Sequence, residues 1–498
     1  MNDPVSPAYG VTAVVLVLLA AVLIGAFGIR VSRTTSDFYV ASRTVSPLWN
    51  ASAIGGEYLS AASFLGVAGL ILTYGADMLW LPVGWTGGYL VLLVLVSAPL
   101  RRSGAYTLPD FAEARLESMV VRRTSSVLVV LIGWLYLMPQ FQSAGLVFRT
   151  ITGAPTWAGG LLVAVVVALN VLSGGMRSIT FVQAFQYWIK LTALAVPLVF
   201  MLIAWRSDGS PGLPPGDPWA LPLHGREHPV YATYSLILAT FLGTMGLPHV
   251  LVRFYTNPDG RAARRTTLLV LTLLGAFYLM PAVYGYLGRV YGLPATDAVV
   301  LTLPGRLVGG TAGELLTALV TAGAFAAFLS TSSGLAVSVA GVIAQDIMGG
   351  GVRPFRVATV LAVTVPFALA GMARTLPVAD VVGLAFAVAA SSFCPLLVLG
   401  IWWRRLTTVG ALAGLLTGGG LACAAVIATI IGGPYTGWPE ALLAQPAAWS
   451  VPISFTVMIV VSLLTPSRVP RNVARTMVRL HTPETLDVDR GDWRPRSV

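Results

Sequence analysis

The chain has little charge, little cysteine and little histidine. Charged residues make up 10% of its 498 residues, against 56% hydrophobic residues and a mean hydropathy of +0.80. That balance excludes a soluble globular protein. The two cysteines, Cys394 and Cys423, lie inside apolar runs and indicate neither a disulfide framework nor a metal site. The four histidines are scattered without ligand spacing.

Catalytic signatures are also lacking. The sequence has no nucleophile elbow, HExxH motif, P-loop or Cys/His cluster, so we predict no enzyme activity and no cofactor. Lysine occurs once, at Lys190. The formal charge of +11 comes from arginines that cluster between apolar segments, which indicates membrane topology rather than nucleic-acid binding. We predict membrane lipid as a partner, and neither nucleic acid nor an obligate protein partner.

Apolar segments of about 20 residues, the length that crosses a bilayer, recur along the whole chain. The first segment follows Asp3 and precedes Arg30 and Arg33, the reverse of a signal peptide, so we expect it to be retained. The pattern predicts an all-α polytopic membrane protein with about thirteen transmembrane helices. These lie near residues 9–29, 47–71, 77–99, 124–148, 156–173, 180–204, 232–252, 266–289, 312–346, 356–374, 379–402, 408–432 and 449–465.

The arginines predict the orientation of these spans. Numbered alternately, the connecting segments hold 24 arginines on one side and six on the other. Because cytoplasmic segments carry the excess of positive charge, we expect a multi-pass plasma-membrane protein with its N-terminus outside and its C-terminus cytoplasmic.

The ninth span carries four hydroxyl residues in a row, Ser330 to Ser333. Ala327, Ser330 and Thr331 share one helical face, which offers a backbone carbonyl and two hydroxyl oxygens. Such oxygens are the ligands that a small cation prefers. They also join membrane helices by hydrogen bonds, so a cation site and interhelical packing are both open at this point.

Two spans are interrupted at comparable depth. Gly55 and Gly56 are expected to break the second span just before Glu57, an intramembrane acid and therefore a functional candidate or half of a structural salt bridge. Gly246 and Pro248 interrupt the seventh span. If the first span is set aside, two sets of five spans each open with an interrupted helix. That correspondence indicates an inverted-repeat transporter with a midplane site.

Further polar residues lie deep in other spans. Gln140 and Gln142 are two residues apart, so at most one is expected to face a pocket. Lys190 is interpreted as a substrate counter-ion, a partner of Glu57 or a snorkelling side chain. His249 has no acid near it in sequence and is interpreted as structural.

Ordered motifs along residues 36–420 make the chain resemble the sodium:solute symporter family. They are SDFYVASRTVSPLWN, GEYLSAASFLGVAG, GGMRSITFVQ, GLPHVLVRF, AFLSTSSGLAVSVAGVIAQDI and WWRRLTTVGALAGLLTG. Within the family the motifs resemble the cation/acetate symporters and actinobacterial monocarboxylate transporters.

The resemblance implies a LeuT-type five-plus-five inverted repeat with one extra N-terminal helix and two extra C-terminal helices. The implied domains are residues 1–46 (N-terminal helix and inside loop), 47–204 (first repeat), 205–231 (outside loop), 232–402 (second repeat), 403–466 (two additional helices) and 467–498 (cytoplasmic tail, expected to be solvated).

The resemblance also implies a set of site residues. Its sodium site falls on Gly56, Leu59, Ala327, Ser330 and Thr331. An acid that some relatives carry on the inner sodium path falls on Gln183. We expect substrate contacts from Glu57, Tyr58, Ser63, Gln140, Gln142, Gly246 and His249.

The function expected from this reading is symport of a short monocarboxylate, such as acetate, propionate or pyruvate, with sodium as the coupling ion and a proton as the possible substitute. A same-fold symporter for proline, a sugar or a polyol is one alternative. A ligand-binding membrane sensor or channel-like subunit is another.

Overall fold

The computed structural model describes residues 7–29, 45–221, 227–294, 296–371, 377–432 and 435–483. Helices joined by turns make up this part of the chain, and it contains no β-strand. In chain order the α-helices are α1 Pro7–Ile29, α2 Pro47–Tyr58, α3 Val67–Tyr74, α4 Trp80–Val91, α5 Ser97–Arg102, α6 Leu108–Leu116, α7 Met119–Thr152, α8 Thr156–Ser207, α9 Pro229–Gly246, α10 Pro248–Val252, α11 Gly260–Val290, α12 Val299–Val308, α13 Gly310–Val342, α14 Val352–Leu369, α15 Val378–Trp402, α16 Thr408–Gly414, α17 Gly420–Ile431, α18 Trp438–Ala444, α19 Ala447–Leu464 and α20 Val473–His481.

Twelve helices in the described ranges are long and apolar enough to cross a membrane. One of these, Ala62–Arg102, has 41 residues, about 60 Å of helix and twice the thickness of a bilayer's hydrocarbon core. Gly75, with φ 79°, and the 3-10 turn Gly75–Leu79 divide it. Its first part joins α2 as one interrupted crossing, which accounts for the predicted thirteenth span.

The first interrupted helix breaks later than the sequence suggested. Gly55 and Gly56 remain helical, and α2 ends at Tyr58, so the prediction that the two glycines break the helix is wrong. Leu59 leaves the helical conformation, and a π-helical turn, Ala62–Gly66, resumes the chain before α3. The glycines serve packing instead, because a side chain at Gly56 would overlap the carbonyl of Gln183 on α8.

The second interrupted helix breaks where the sequence indicated. Helix α9 ends at Gly246, Leu247 is extended with φ −74° and ψ 114°, and α10 begins at Pro248. Proline suits the first position of a helix because its missing N–H would have no partner there. Gly246 leaves no room for a side chain, since a Cβ would overlap the carbonyl of Ala389 on α15.

Helix α13 lies at the centre of this arrangement. It packs most extensively against α8 and also contacts α2 and α7. All residues from Val320 to Ala336 except Ala322 are buried. The oxygen-bearing face predicted from the sequence is therefore enclosed by helices, next to the break that follows α2.

The segment after α5 and the C-terminal region pack together. Helix α6 begins at Leu108, with a capping box between Thr107 and Asp110. Helix α20 buries Met477 and Leu480 and packs against α5 and α6. The expectation of a solvated tail is therefore wrong for α20, because its apolar face has a partner; residues from 484 onward lie outside the described part.

Candidate functional site

Two side chains hold the first break together. A helix that stops leaves carbonyl and N–H groups without intrahelical partners. Gln140 Oε1 accepts a hydrogen bond from Ala61 N at 3.0 Å. Lys190 Nζ donates to the carbonyl of Leu59 at 2.7 Å and to that of Gly56. Lys190 is 0% exposed, so it does not snorkel toward the membrane surface.

The predicted cation ligands on α13 meet the same ammonium group. Ser330 Oγ accepts a hydrogen bond from Lys190 Nζ at 2.8 Å and donates one to the carbonyl of Ala327 at 3.1 Å. Thr331 Oγ1 donates to the carbonyl of Glu57 at 2.6 Å. The structure thus brings the five predicted ligands to one place, with the lysine nitrogen between three of them. The neighbouring Ser332 and Ser333 hydroxyls have no hydrogen-bond partner among the described residues.

Glu57 forms a buried ion pair that the sequence did not identify. Its Oε2 lies 2.7 Å from Nε of Arg253, and the two side chains are 1% and 0% exposed. Arg253 directly follows the predicted span 232–252 and so falls among the arginines of a connecting segment, but in the structure it is enclosed. A signal was available, because an intramembrane acid needs a partner and Arg253 follows the second break by only five residues. Glu57 packs against Gly334, where a Cβ would overlap its carboxylate.

Gln183 connects the ion pair to α13. Arg253 donates to Gln183 Oε1 and, at 2.7 Å, to Thr180 Oγ1. Gln183 Nε2 donates to the carbonyl of Ser330 at 2.6 Å. An amide can accept and donate in this way, whereas a carboxylate at this position could only accept. As ionised groups, Glu57, Arg253 and Lys190 carry one net positive charge.

An aromatic cluster adjoins the break and contains Tyr58, Trp85, Tyr89, Tyr136, Tyr278 and Phe386. The Tyr58 and Tyr89 ring centroids are 4.8 Å apart, and Trp85 lies 5.7 Å from Tyr278. Phe386 is 5.8 Å from both Trp85 and Tyr136, so it links the rings of three different helices. Of these six residues, only Tyr58 was a predicted site residue; the others stand in apolar spans without a local signal.

The polar atoms of this cluster divide into two groups. Tyr58 Oη is 2.8 Å from Thr244 Oγ1, and Ser63 Oγ is 2.9 Å from Tyr278 Oη. In contrast, Trp85 Nε1, Tyr89 Oη and both ring nitrogens of His249 are buried without a partner among the described residues. The His249 ring lies 5.3 Å from that of Tyr136. A buried polar group without a partner costs about 1–3 kcal/mol, which favours a ligand that supplies the missing bond.

Other predicted substrate residues lie apart from this cluster. Gln142 donates to the carbonyl of Ala370, which follows α14, so of the two glutamines only Gln140 faces the break. Glu57 is engaged by Arg253, and Gly246 packs against α15. Tyr58, Ser63 and His249 are the predicted residues that the fold gathers around the aromatic rings.

Cavities lie toward both ends of the bundle. One of about 460 Å³ is lined by Asp380 and Leu384 on α15, the helix that carries Phe386. Another of about 730 Å³ is lined by Arg122 on α7, the helix that carries Tyr136. The aromatic cluster therefore lies between them. Two interrupted helices that meet at buried charged and aromatic groups define the architecture of a secondary transporter.

The chain belongs to the sodium:solute symporter family, whose model matches residues 38–418. It is 33% identical over 469 residues to the symporter YwcA of Bacillus subtilis (strain 168), itself described as uncharacterized, with 86% of this chain and 89% of that protein covered. It is 32% identical over 435 residues to a monocarboxylic acid transporter of Corynebacterium glutamicum, with 78% of each chain covered. The predicted family and branch are confirmed.

Solved structures with this fold are also transporters. A Na⁺-coupled sialic acid symporter in a substrate-bound outward-open state has a TM-score of 0.70 at 13% identity, with 92% of this chain and 97% of that one covered. A nucleobase-cation-symport-1 family transporter in a closed conformation has a TM-score of 0.58 at 12% identity, with 90% and 99% covered. The predicted fold class is confirmed, and because family and relatives are transporters, so is the prediction that the chain is not an enzyme.

Proposed function

We propose that this protein imports a short-chain monocarboxylate, such as acetate, propionate or pyruvate, by symport with a cation, sodium or a proton. Its location is the plasma membrane, with the N-terminus outside and the C-terminus cytoplasmic. The name of the Corynebacterium glutamicum relative supports the substrate class. The observation that carries the proposal is the buried set of Glu57, Arg253 and Lys190, which as ionised groups carry one net positive charge, beside Trp85 and Tyr89, whose polar atoms have no partner among the described residues.

The aromatic cluster suits a small anion with a short apolar tail. Trp85 Nε1 can only donate a hydrogen bond, and Tyr89 Oη can donate one, so both fit carboxylate oxygens. Ring faces such as that of Phe386 offer apolar surface for one to three carbons. The net positive charge of Glu57, Arg253 and Lys190 attracts an anion more strongly in a buried site than it would in water.

Transport follows from access to the cluster from alternating sides. We infer that the cavity lined by Asp380 and the one lined by Arg122 are the outer parts of two approaches to the cluster, since each is lined by a helix that also carries a cluster residue. Rocking of one repeat against the other would open one approach while closing the second. The oxygens of Gly56, Leu59, Ala327, Ser330 and Thr331 join the break after α2 to α13, which belong to different repeats in the expected domain order.

Uptake into liposomes tests this proposal. Purified protein is reconstituted, and accumulation of radiolabelled acetate is measured under imposed sodium and pH gradients, with unlabelled propionate, pyruvate, proline and sugars as competitors. We expect concentrative uptake that only the monocarboxylates inhibit. Competition by proline or a sugar would reassign the substrate, and binding without accumulation would favour a sensor.

A further inference from the structure

The ammonium group of Lys190 has a complete set of partners. An ammonium nitrogen carries three N–H donors and no acceptor. In this structure it donates to the carbonyls of Gly56 and Leu59 and to Ser330 Oγ. The Ser330 hydroxyl donates its proton to the carbonyl of Ala327, so its oxygen can accept a hydrogen bond from Lys190 Nζ. Three donors thus meet three acceptors.

These acceptors are the same oxygens that the family resemblance assigned to sodium. Oxygens of Gly56, Leu59 and Ser330 contact Lys190 Nζ. The other two predicted ligands have protein partners: the Ala327 carbonyl accepts from Ser330, and the Thr331 hydroxyl donates to the Glu57 carbonyl. A sodium ion would have to displace the lysine nitrogen or lie directly beside a second positive charge. The residues present therefore do not fit a sodium ion at this position.

We propose that Lys190 is a built-in cation at this site, so that the protein binds no Na⁺ there and transports without a sodium requirement. The Lys190 ammonium group connects α8 to the end of α2 and to α13. A sodium ion bound by the same oxygens would likewise connect α2 and α13. Because it is covalently attached to α8, its charge is present at every sodium concentration. The consequence for transport rests on the proposed function, whereas the consequence for ion binding does not.

The charges around Lys190 agree with this role. Glu57 lies between Gly56 and Leu59, whose carbonyls bind Lys190, and its carboxylate is paired with Arg253. Helix α13 has no titratable residue between Thr321 and Val342. From α11, Tyr284 directs its hydroxyl to the carbonyl of Leu194, one turn beyond Lys190 on α8. An additional Na⁺ would give this region a further positive charge without a second carboxylate facing it.

Ion binding to the purified protein is the first test. Equilibrium binding of ²²Na⁺ is measured for the wild type, for Lys190→Ala and for Gln186→Ala, a buried residue one turn earlier on α8 whose amide has no partner among the described residues. We expect no saturable binding by the wild type or by Gln186→Ala. We expect saturable binding by Lys190→Ala, because its loss frees the oxygens of Gly56, Leu59 and Ser330.

Two results would overturn the inference. One is saturable ²²Na⁺ binding by the wild type that Ser330→Ala removes. The other is a folded Lys190→Ala protein, with a sharp unfolding transition, that fails to bind the ion. If Lys190→Ala does not fold, Lys190→Met replaces it in the binding measurement, because it removes the charge while keeping most of the side-chain length. The wild-type measurement tests the inference without either variant.

Transport gives a second, separate readout. Wild-type liposomes are compared in sodium and in choline at equal ionic strength and pH. We expect uptake rates within about two-fold of each other, since an ion that binds neither state shifts no equilibrium between them. A rise of about ten-fold or more in sodium contradicts the inference. Absence of monocarboxylate uptake in both salts defeats the proposed function, while the ²²Na⁺ result still decides the role of Lys190.

Discussion

The charged residues at the first break and the aromatic cluster beside it are equally buried but differ in their hydrogen bonding. Around Lys190, Glu57 and Arg253, charged donors meet protein acceptors on α2, α8 and α13, although Glu57 pairs through Oε2 and its Oε1 has no hydrogen-bond partner among the described residues. In the aromatic cluster, Trp85 and Tyr89 leave polar atoms without partners among the described residues. Buried charges with partners indicate a permanent part of the structure. Unpaired neutral donors are groups that a ligand can pair, and in the aromatic cluster they stand beside apolar ring faces.

This difference separates residues that hold the transporter together from residues that select its substrate. A ligand can leave the aromatic cluster and expose only neutral groups, at a modest cost. Lys190, Glu57 and Arg253 differ, because the loss of any one partner would leave a buried charge uncompensated. Substitutions in the two regions should therefore have different effects on stability and on uptake.

The largest effect is expected from Arg253→Met. It leaves the Glu57 carboxylate buried without its partner, which costs about 3–5 kcal/mol of stability. We expect little folded protein and a much lower unfolding temperature in detergent, followed by intrinsic fluorescence. The double variant Glu57→Gln with Arg253→Met should recover most of the loss, because no unpaired charge remains. If Arg253→Met alone unfolds at the wild-type temperature, loss of the ion pair does not destabilise the protein, and this prediction is wrong.

Ser330→Ala should have the next largest effect. It removes one of the three acceptors of the Lys190 ammonium, and hydrogen bonds to charged groups contribute about 1.5–3 kcal/mol. We expect a lower unfolding temperature and a loss of uptake of ten-fold or more at equal surface expression. Ser332→Ala is the matched control, because its hydroxyl lies two residues away without a partner among the described residues. Equal effects of the two substitutions would contradict the assigned contact.

Tyr89→Phe should separate binding from stability. Its hydroxyl is buried without a partner in the described structure, so its removal should leave the unfolding temperature unchanged or slightly higher. If the hydroxyl binds the carboxylate, KM for uptake should rise about ten-fold, the equivalent of ~1.4 kcal/mol. Tyr58→Phe is the contrasting control, since it loses the bond to Thr244 and should lower stability. An unchanged KM for Tyr89→Phe would remove this hydroxyl from the site.

The smallest effect is expected from Arg122→Gln, at the end of the bundle where water reaches the charges. Arg122 lies 2.7 Å from Asp110 and 2.6 Å from Asp346. Its guanidinium also donates hydrogen bonds to Glu113 and Asp346, and these carboxylates favour its charged form. The pairs with Asp110 and Glu113 are partly exposed and contribute about 0.2–1 kcal/mol each. The Asp346 carboxylate is buried, but it keeps the hydrogen bond from Ser126 when Arg122 is replaced.

Ionic strength provides the measurement for this last prediction. The difference in unfolding temperature between wild type and Arg122→Gln should shrink as salt increases, because salt screens exposed charges. Arg123→Gln, at the exposed neighbouring position, should leave the temperature unchanged at any salt concentration. A loss as large as that of Arg253→Met would mean that the Arg122 pairs behave as buried ones.

Much of the fold was predictable because membrane insertion leaves a strong signal in composition. Long apolar runs and the interruption at Gly246 and Pro248 are local features, and the structure has them in the expected places. The break after α2 was misplaced, because Gly55 and Gly56 can either end a helix or let another helix approach, and only the position of Gln183 on α8 decides between these roles.

Spacing on one helix was enough to identify Ala327, Ser330 and Thr331 as a set, because residues three and four apart share a face whatever surrounds them. Tertiary structure alone decided what meets that face. Lys190 reaches it from 140 positions earlier in the chain, and Arg253 reaches Glu57 across 196. Local periodicity therefore determined which side chains the membrane encloses, while the partner of each buried charge depended on how distant helices pack, which no short stretch of sequence encodes.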